Sequence, residues 1–440
     1  MTSQDDKSNL SATSQTDLNN DLANNKLLDK KTFDISSIDT MDTFDISAAT
    51  NTAKLPQPLP PPLKQATYKA HATDFAVNEI LPLDFSGEGE HLWLHIEKLG
   101  MNTAYLAKLL SEWAEIPLRD VGYSGLKDRH ALTTQWFSLR IPKKQLPESE
   151  FAPVDIGADE SVTILAQHWH NKKLNRGTHK ANQFIITLRD IQFADFDTAA
   201  PIPEQLLSAK QSEKDAVEQH LAYISTTGVP NYFGPQRFGR NGNNVREALA
   251  LFARPAPESR PQPKKSKRKH TPREQNSMEL SAARSLIFNE ILAARVRDGS
   301  WDTGVEGEVF NLEGSGSIFA SEAIDETLKA RLASGDIHPT AVLWGVGNDK
   351  VSGVAAAIEN DIVQKNPLLS QLAVGLEKRD IKAQRRALRL PIEGLSWEWQ
   401  GGENGGEQTL VLNFTLTTGS FATSVLASLV QDLDTSSAKI

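Results

Sequence analysis

The chain of 440 residues contains no cysteine. That absence excludes a disulfide framework, a thiolate nucleophile, an iron–sulfur cluster and any zinc site with thiolate ligands. The chain also lacks an uninterrupted run of 18 apolar residues, and its N-terminus (MTSQDDKSNL) has neither the basic region nor the apolar stretch of a leader peptide. The sequence therefore predicts a cytoplasmic protein that does not enter a membrane.

An excess of positive charge is missing as well. The 47 basic residues face 56 acidic ones, which gives a formal net charge of −9. A protein with this balance does not bind nucleic acid over its whole surface, so any RNA contact has to come from local basic patches. Hydrophobic residues make up 39% and charged residues 23%, which is typical of a folded protein of about two or three domains.

The first 54 residues have few apolar side chains and no sustained hydrophobic period. They contain nine Asp and five Lys, a local net charge of −4. Such a segment buries too little apolar surface to offset the chain entropy lost on folding, so we expect residues 1–54 to be a disordered acidic tail. A short echo, TFDIS, occurs at 32–36 and 43–47. Two copies are too few for a repeat fold, but they suit a docking motif.

Strand-like and helix-like patterns are interspersed from residue 68 onward. Alternating apolar residues predict strands over 92–96, 135–140, 183–190 and 410–416. Helical spacing predicts a helix that begins near Asn102 and ends before Pro117, and two more over 211–226 and 421–433. Because these elements do not follow a regular βαβ order, we expect an α+β fold with a largely antiparallel mixed sheet.

Two segments concentrate positive charge. Residues 254–274 hold eight Lys or Arg and two Glu among several prolines, which predicts an exposed, flexible basic loop. The second segment repeats basic residues at spacings of three and four, which predicts that they share one helix face: Lys378, Lys382, Arg385, Arg386 and Arg389. Each segment is either a solvated surface or a contact for RNA phosphates.

Most familiar catalytic motifs are absent. The sequence contains no GxxxxGK[ST] or GxGxxG turn for a nucleotide and no GxSxG elbow for a nucleophilic serine. The candidate that remains is residues 122–130 (GYSGLKDRH), in which Asp128 lies among Lys127, Arg129 and His130. Neighbouring cations favour an ionised carboxylate, which can serve as nucleophile, general base or metal ligand. The alternative is an aspartate that caps a turn and pairs with surface cations.

Two further segments suit RNA. Asn182 and Phe184 begin a predicted strand directly after residues 168–180 (HWHNKKLNRGTHK), which mix cations with an aromatic ring. Cations for phosphates, rings for stacking and amides for base edges are the groups that bind a single RNA strand. A β-hairpin with a solvated basic loop has the same composition. Residues 228–240 (GVPNYFGPQRFGR) are too apolar for an exposed loop, so we expect an ordered crossing between domains.

These segments resemble the TruD family of tRNA pseudouridine synthases. Residues 125–131 (GLKDRHA) with 134–136 (TQW) are similar to the family's catalytic motif, and residues 228–239 to its PNYFGxQRFG signature. Similar stretches at 74–79 (DFAVNE), 87–91 (GEGEH), 281–289 (SAARSLIFN) and 419–424 (GSFATS) follow in the family's order. The resemblance spans about residues 64–435. It leaves out the tail, and the basic loop looks like an insertion into the family pattern.

The resemblance implies isomerisation of a tRNA uridine to pseudouridine, usually at position 13 in the D-arm. It also implies a pseudouridine synthase fold interrupted by an inserted α/β TRUD domain. We place the catalytic domain at 55–227 and 391–440 and the insert at 228–390. The reaction changes no oxidation state, so we expect no cofactor and no metal. The expected partner is tRNA, and the expected state is a monomer.

The resemblance also implies roles for three charged residues. Asp128 matches the catalytic aspartate, and Lys69 falls where the family places a basic partner for it. Glu79 matches a carboxylate on the pocket side whose role the resemblance does not define.

Four further residues match the substrate pocket. Phe75 and Phe421 match aromatic positions, with simple burial in the core as the alternative for each. Asn182 matches an amide that contacts uracil, and Phe184 matches the aromatic that packs on the target base.

Two other functions stay open on the residues alone. A metal-dependent nuclease would also place Asp and Glu beside Lys, and a chelator would abolish its activity. A non-catalytic RNA-binding protein would use the same basic and aromatic groups but leave the uridine unaltered.

Overall fold

The computed structural model describes residues 44–142, 145–152, 157, 159–194, 212–254, 276–401 and 408–434. Residues 1–43 of the predicted tail and the basic loop from residue 255 lie outside this part of the chain. In chain order, the elements are α1 (Ile46–Ala49), β1 (Leu63–Tyr68), β2 (Phe75–Ile80), β3 (His91–Leu99), α2 (Thr103–Trp113), β4 (Val121–Tyr123), β5 (Leu132–Arg140), β6 (Ser161–His170), β7 (Ala181–Phe193), α3 (Glu213–Thr227), β8 (Val229–Pro230), α4 (Asn243–Ala253), α5 (Asn276–Arg297), β9 (Val309–Leu312), β10 (Ile318–Ala320), α6 (Glu326–Ala333), β11 (Ile337–Leu343), α7 (Gly353–Lys365), α8 (Pro367–Lys378), β12 (Gln384–Ala387), β13 (Arg389–Leu390), β14 (Glu393–Gln400), β15 (Thr409–Thr417), α9 (Ala422–Leu429) and β16 (Val430–Asp434).

The largest sheet combines ten of the described strands. Its main order is β14-β15-β7-β2-β5-β3-β6, with β1 joined to β7 and β16, and β4 joined to β5. The pairs β1–β16 and β2–β5 are parallel, whereas the remaining pairs are antiparallel. The predicted α+β fold with a largely antiparallel mixed sheet is therefore confirmed. Strand β7 contacts β1, β2 and β15, so it connects the N-terminal and C-terminal parts of the sheet.

Two apolar cores pack on this sheet. One lies between its strands and helices α3 and α9, which contribute Leu221 and Leu426. The other lies between β3, β5 and α2, which contributes Leu106. Helix α2 begins where the sequence predicts, because the Asn102 side chain accepts a hydrogen bond from Ala104 N at 2.8 Å.

A second sheet takes its four strands from residues 309–387, in the order β10-β9-β11-β12. Helix α5 packs on β11 and contacts α4, α7 and α8. Strands β8 and β13 pair with each other, Pro230 with Arg389 and Val229 with Leu390. The predicted domain boundaries at 228 and 391 fall at this pair, and the division into two domains stays a prediction.

The predicted basic helix face over 378–389 is wrong. Helix α8 ends at Lys378, Asp380 has a φ of +52°, and the chain then forms β12 against β11. Arg385 enters a buried ion pair with Glu359 at 2.7 Å. Basic residues spaced three and four apart can also lie in a strand when partners elsewhere in the fold neutralise their charges. A local sequence pattern does not show those partners.

The predicted tail also extends too far. Asp45 caps α1 by accepting a hydrogen bond from Ala48 N at 2.9 Å, and Ile46 is only 1% exposed. A Cβ added to Gly242 would lie 2.7 Å from Cγ2 of Ile46, so α1 packs directly on that glycine. The Ile46 side chain fits against Gly242 only because glycine has no Cβ, and this contact holds the segment in place. The buried isoleucine belongs to the second TFDIS copy.

The C-terminal helix is shorter than predicted. Helix α9 ends at Leu429, and the next residues form β16, which pairs in parallel with β1. Among the described residues, no helix is both long enough and apolar enough to cross a membrane.

Candidate active site

A cavity of about 240 Å³ is lined by residues from distant parts of the chain. The contributing parts are the end of β1, strands β2 and β7, the loop after β4, the crossing after β8 and the start of α9. The lining residues are Tyr68, Lys69, Phe75, Val77, Leu126, Lys127, Asp128, His179, Asn182, Phe184, Gly234, Pro235, Gln236, Arg237, Ser420, Phe421, Ala422 and Thr423. Of the residues to which the sequence assigns a catalytic or substrate-binding role, all except Glu79 line this cavity.

Asp128 lies in the loop between β4 and β5 and faces Lys69, which follows β1. Lys69 Nζ donates to Asp128 Oδ2 at 2.5 Å. Lys69 has a φ of +60°, a conformation that costs a residue with a side chain of order 1–3 kcal/mol and that concentrates at functional sites. The side chain of Asp128 is 33% exposed and that of Lys69 14%. The carboxylate is therefore held by a fixed cation and still accessible from the cavity.

A buried lysine holds the backbone beneath this carboxylate. Lys98 on β3 is fully buried, and its Nζ donates to the carbonyl oxygens of Met101 at 2.6 Å and Asp128 at 3.2 Å. Burial lowers the pKa of Lys98 to about 8, although Asp128 acts in the opposite direction. No sequence motif points to Lys98, because its partners are backbone atoms.

Aromatic rings form one wall of the cavity. The strand register places Phe184 beside Val77 on one side and Phe414 on the other. The ring of Phe184 stacks on Phe414 with centroids 5.6 Å apart, and it lies 6.1 Å from the ring of Phe75. Phe75 and Phe184 are each 8% exposed and also line the cavity, so both interpretations of Phe75, core and pocket, describe it. Phe421 also lines the cavity, at the N-cap of α9.

A lysine joins Asn182 to Glu79, its neighbour across the β2–β7 pair. Lys127 Nζ donates to Asn182 Oδ1 at 2.6 Å and lies 3.1 Å from Glu79 Oε2. The amide oxygen of Asn182 is thereby occupied, and its Nδ2 donates to no other described residue. This arrangement leaves an amide donor for a carbonyl oxygen of a bound ligand.

Glu79 itself does not face the cavity, contrary to the expectation of a pocket-side carboxylate. Its side chain is 0% exposed, and besides contacting Lys127 it accepts from Ser124 Oγ at 2.5 Å and from Trp136 N at 3.2 Å. These donors hold the carboxylate behind Lys127. In the structure Glu79 therefore positions Lys127 and, through it, Asn182.

Several lining residues are not among those that the sequence assigns to the site, above all Tyr68, His179 and Arg237. Burial and the charge of Asp128 raise the pKa of Tyr68, so its phenol stays protonated at neutral pH. Burial and the nearby Lys127 lower the pKa of His179, which keeps its ring neutral. His179 and Arg237 belong to segments that composition had marked, and Tyr68 adjoins Lys69. Composition does not show which side chains of a segment turn into a cavity.

The cavity thus offers one accessible carboxylate beside a cation, an amide donor and several aromatic faces. Such a set suits a planar, polar ring that is held by stacking while a carboxylate attacks a neighbouring atom or removes a proton from it. Within the described ranges, no three His, Asp or Glu side chains converge as a metal ion requires.

Comparison with known proteins gives a consistent set of relatives. The family model described as tRNA pseudouridine synthase D (TruD) matches residues 64–251 and 258–429. A Psychrobacter arcticus protein named tRNA pseudouridine synthase D is 79% identical over 393 residues, which are 89% of this chain and 97% of that protein. A protein of the same name from Xanthomonas euvesicatoria pv. vesicatoria is 42% identical over 376 residues, 85% of this chain and 94% of its own length.

A solved structure shares the architecture. The crystal structure of the putative tRNA pseudouridine synthase D from Methanosarcina mazei superposes with a TM-score of 0.62 at 22% sequence identity. The match covers 88% of this chain and 98% of the other. At that identity the likeness shows a shared fold.

Proposed function

The chain belongs to the tRNA pseudouridine synthase D (TruD) family, and on that basis we propose that its cavity isomerises a uridine of tRNA to pseudouridine with Asp128 as the catalytic carboxylate. One observation carries the assignment of the site. The accessible Asp128, paired with Lys69 at 2.5 Å, shares a 240 Å³ cavity with the ring of Phe184 and the amide of Asn182.

The reaction moves a bond without a net change of oxidation state. The C1′–N1 bond breaks with its electron pair going to N1, the uracil turns, and C5 then forms a bond to C1′. The proton on C5 is lost, and N1 gains one. Asp128 takes part in one of two ways: its carboxylate attacks C1′ and is later displaced by C5, or it removes the C2′ proton and returns it after the new bond has formed.

The surrounding residues have roles that follow from their contacts. Lys69 orients Asp128 through a charge-assisted hydrogen bond at 2.5 Å. Asn182 donates to a uracil carbonyl, where negative charge develops when N1 leaves, and Lys127 with Glu79 fixes the direction of that amide. The uridine has to leave its stack to reach Asp128. Stacking on Phe184 then replaces part of the lost base stacking, at about 1–3 kcal/mol per base.

The finer assignments rest on the family resemblance. We propose uridine 13 of the D-arm as the target, and the cytoplasm as the place where the enzyme meets its tRNA. We also propose, on the same resemblance, that a monomer is active. The proposed chemistry needs no cofactor and no metal. The catalytic domain at 55–227 and 391–440, with the insert at 228–390, is part of the same proposal.

The substitution Asp128→Asn tests the assignment. It keeps the shape of the side chain but removes the charge that attacks carbon or accepts a proton. Tritium release from tRNA labelled at C5 of uridine should fall by more than about a thousandfold, while tRNA affinity and the folded state are retained. Mapping of carbodiimide adducts along the tRNA should place the product of the unaltered enzyme at position 13.

The matched control is Asp120→Asn, because Asp120 lies on the preceding turn and does not line the cavity. It should release tritium at the unaltered rate. Turnover by the Asp128→Asn variant would make Asp128 structural. Loss of activity of the unaltered enzyme in EDTA would favour the metal-dependent nuclease, and tRNA binding without tritium release would favour a non-catalytic RNA-binding protein.

A further inference from the structure

Arg237 lines the same cavity as Asp128, and some of its hydrogen-bond donors have no partner among the described residues. It ends the short 3₁₀ turn Pro235–Arg237, and its Nη1 donates to Ser281 Oγ at 3.0 Å. Its Nε and Nη2 have no hydrogen-bond partner among the described residues. The guanidinium carbon lies 5.2 Å from the centroid of the Phe233 ring and 5.7 Å from that of Phe421. The group is thus held against aromatic rings at the cavity wall.

A second guanidinium contacts the same phenylalanine from β12. Cζ of Arg386 lies 4.3 Å from the centroid of the Phe233 ring. Arg386 donates to Asn231 Oδ1 at 2.5 Å and to the carbonyl oxygen of Gly419 at 3.3 Å. These contacts fix Arg386 in place, but all of its acceptors are neutral.

The two arginines lack the carboxylate partner that Arg295 and Arg385 have. Arg295 pairs with Glu308 at 2.7 Å and Arg385 with Glu359 at 2.7 Å. Arg237 and Arg386 form no ion pair with any described residue. Burial and the charge of Arg237 lower the pKa of Arg386 to about 10, so both groups remain charged at neutral pH. Two uncompensated like charges beside one ring disfavour the free protein, and an anion brought from outside relieves that cost.

We propose that Arg237, with Arg386 behind it, binds a phosphodiester group of the RNA backbone directly next to the target uridine. The inference rests on the proposed function, which brings an RNA strand into this cavity. A nucleotide whose sugar reaches Asp128 carries its own flanking phosphates to the wall of the same cavity. A guanidinium presents its donors in a planar fork that matches two phosphate oxygens. Neutral uracil would leave both positive charges uncompensated.

This contact would give Arg237 a positioning role in base flipping. An extruded nucleotide remains tethered by its two phosphates, so fixing one of them limits where C1′ can lie relative to Asp128. Phosphate contacts of this kind set the register of a strand and carry no sequence information of their own.

A charge-removal cycle tests the contact from both sides. On the protein, Arg237→Gln removes the charge and keeps a side chain that reaches Ser281. On the RNA, an uncharged methylphosphonate replaces either the 5′ or the 3′ phosphate of the target uridine in a ligated full-length tRNA. With the unaltered enzyme, one of these two positions should weaken binding by about tenfold or more. With Arg237→Gln, the same methylphosphonate should have no further effect.

Salt dependence gives an independent readout. Arg237→Gln should lower the slope of log affinity against log salt by about 0.7–0.9, and Arg237→Lys should restore it. The matched control is Arg331→Gln, because Arg331 also lies over a phenylalanine ring, at 5.5 Å from Phe319, but pairs with Asp336 and lies outside the cavity. It should change neither the slope nor the methylphosphonate effect.

Three outcomes would overturn the inference while tRNA turnover stays intact in the unaltered enzyme. They are an unchanged salt slope in Arg237→Gln, a methylphosphonate penalty that persists in full in that variant, and a fall in kcat alone, which would place Arg237 on the base. Absence of tritium release by the unaltered enzyme would instead refute the proposed function.

Discussion

Lys98 is the residue in which burial and charge conflict most directly. It is fully buried, and the carbonyl oxygens of Met101 and Asp128 are its acceptors. An ammonium group in this position carries a desolvation cost that carbonyl dipoles offset only in part. The lysine therefore fixes the backbone under Asp128 at some expense in stability.

The lowered pKa of Lys98 predicts a pH dependence of folding. The pKa is about 8 in the folded protein against an ordinary value of 10.5. Between these values the unfolded chain binds a proton that the folded chain does not, so this residue makes stability rise with pH. The free energy of unfolding of the unaltered protein, relative to Lys98→Met, should increase between about pH 8 and pH 10.5 by on the order of 1–3 kcal/mol.

Urea denaturation over that pH range measures the difference, and Lys108→Met is the matched control. Lys108 lies on the exposed side of α2 beside Glu112, so its variant should show no such trend. A difference between unaltered protein and Lys98→Met that stays constant with pH would mean that Lys98 titrates as an exposed lysine does.

Helix α1 shows how a four-residue element can be held by one side chain. Ile46 is 1% exposed and contacts Gly242, which ends a 3₁₀ turn and has a φ of +75°. Without a Cβ at that position, the isoleucine reaches the turn directly. The position of α1 therefore depends on an apolar contact with a residue far along the sequence.

Ile46→Ala should destabilise the protein without affecting the reaction. Removing a buried isoleucine side chain lowers the free energy of unfolding by about 2–5 kcal/mol. The loss cannot exceed the free energy with which α1 docks on the rest of the protein. In calorimetry the Tm should fall by several degrees, and deletion of residues 1–54 should have a similar effect. Tritium release per folded molecule should stay unchanged, because α1 does not line the cavity.

The equivalent substitution Ile35→Ala, in the first TFDIS copy, is the matched control. An equal fall in Tm from that variant would contradict the assignment of the docking contact to the second copy.

How much of the site could be predicted depends on whether its partners are local. Asp128 was recognisable because its motif is contiguous, and the resemblance brought Lys69 to it across the chain. The resemblance places Glu79 on the pocket side without a role, because the donors that hold its carboxylate come from the loop after β4 and from β5. Lys98 and Arg237 were not predicted, because a local sequence pattern does not show that a lysine donates to backbone carbonyls or that a guanidinium has no ion-pair partner.

Whether the partners of a segment are local also decides which parts of the fold the sequence predicts. Strands that carry alternating apolar residues were predicted, and the mixed sheet follows from their interspersion with helices. The segment after α8 was assigned to a helix because Arg385 and Arg386 were interpreted as part of a charged face. In the structure β11 supplies the pairing for that segment, and Glu359 on α7 takes up the charge of Arg385. Tertiary partners, rather than spacing, decide such segments.

Across the whole molecule, positive charge for RNA has to be concentrated, since the net charge is −9. The densest run of basic residues lies at 254–274, between α4 and α5, and its structure from residue 255 onward falls outside the described residues.

Replacing Lys264, Lys265, Lys267, Arg268 and Lys269 by Gln should weaken tRNA binding, because it removes contacts with RNA phosphates. Each lost contact should lower the slope of log affinity against log salt by about 0.7–0.9. Single-turnover chemistry on bound tRNA should stay unchanged, since these residues carry none of the groups assigned to the reaction. Lys329→Gln with Lys365→Gln is the matched control, because both lysines are exposed and paired, with Glu326 and Asp361. A salt slope that is the same in the loop variant, the control and the unaltered protein would mean that the loop does not touch tRNA.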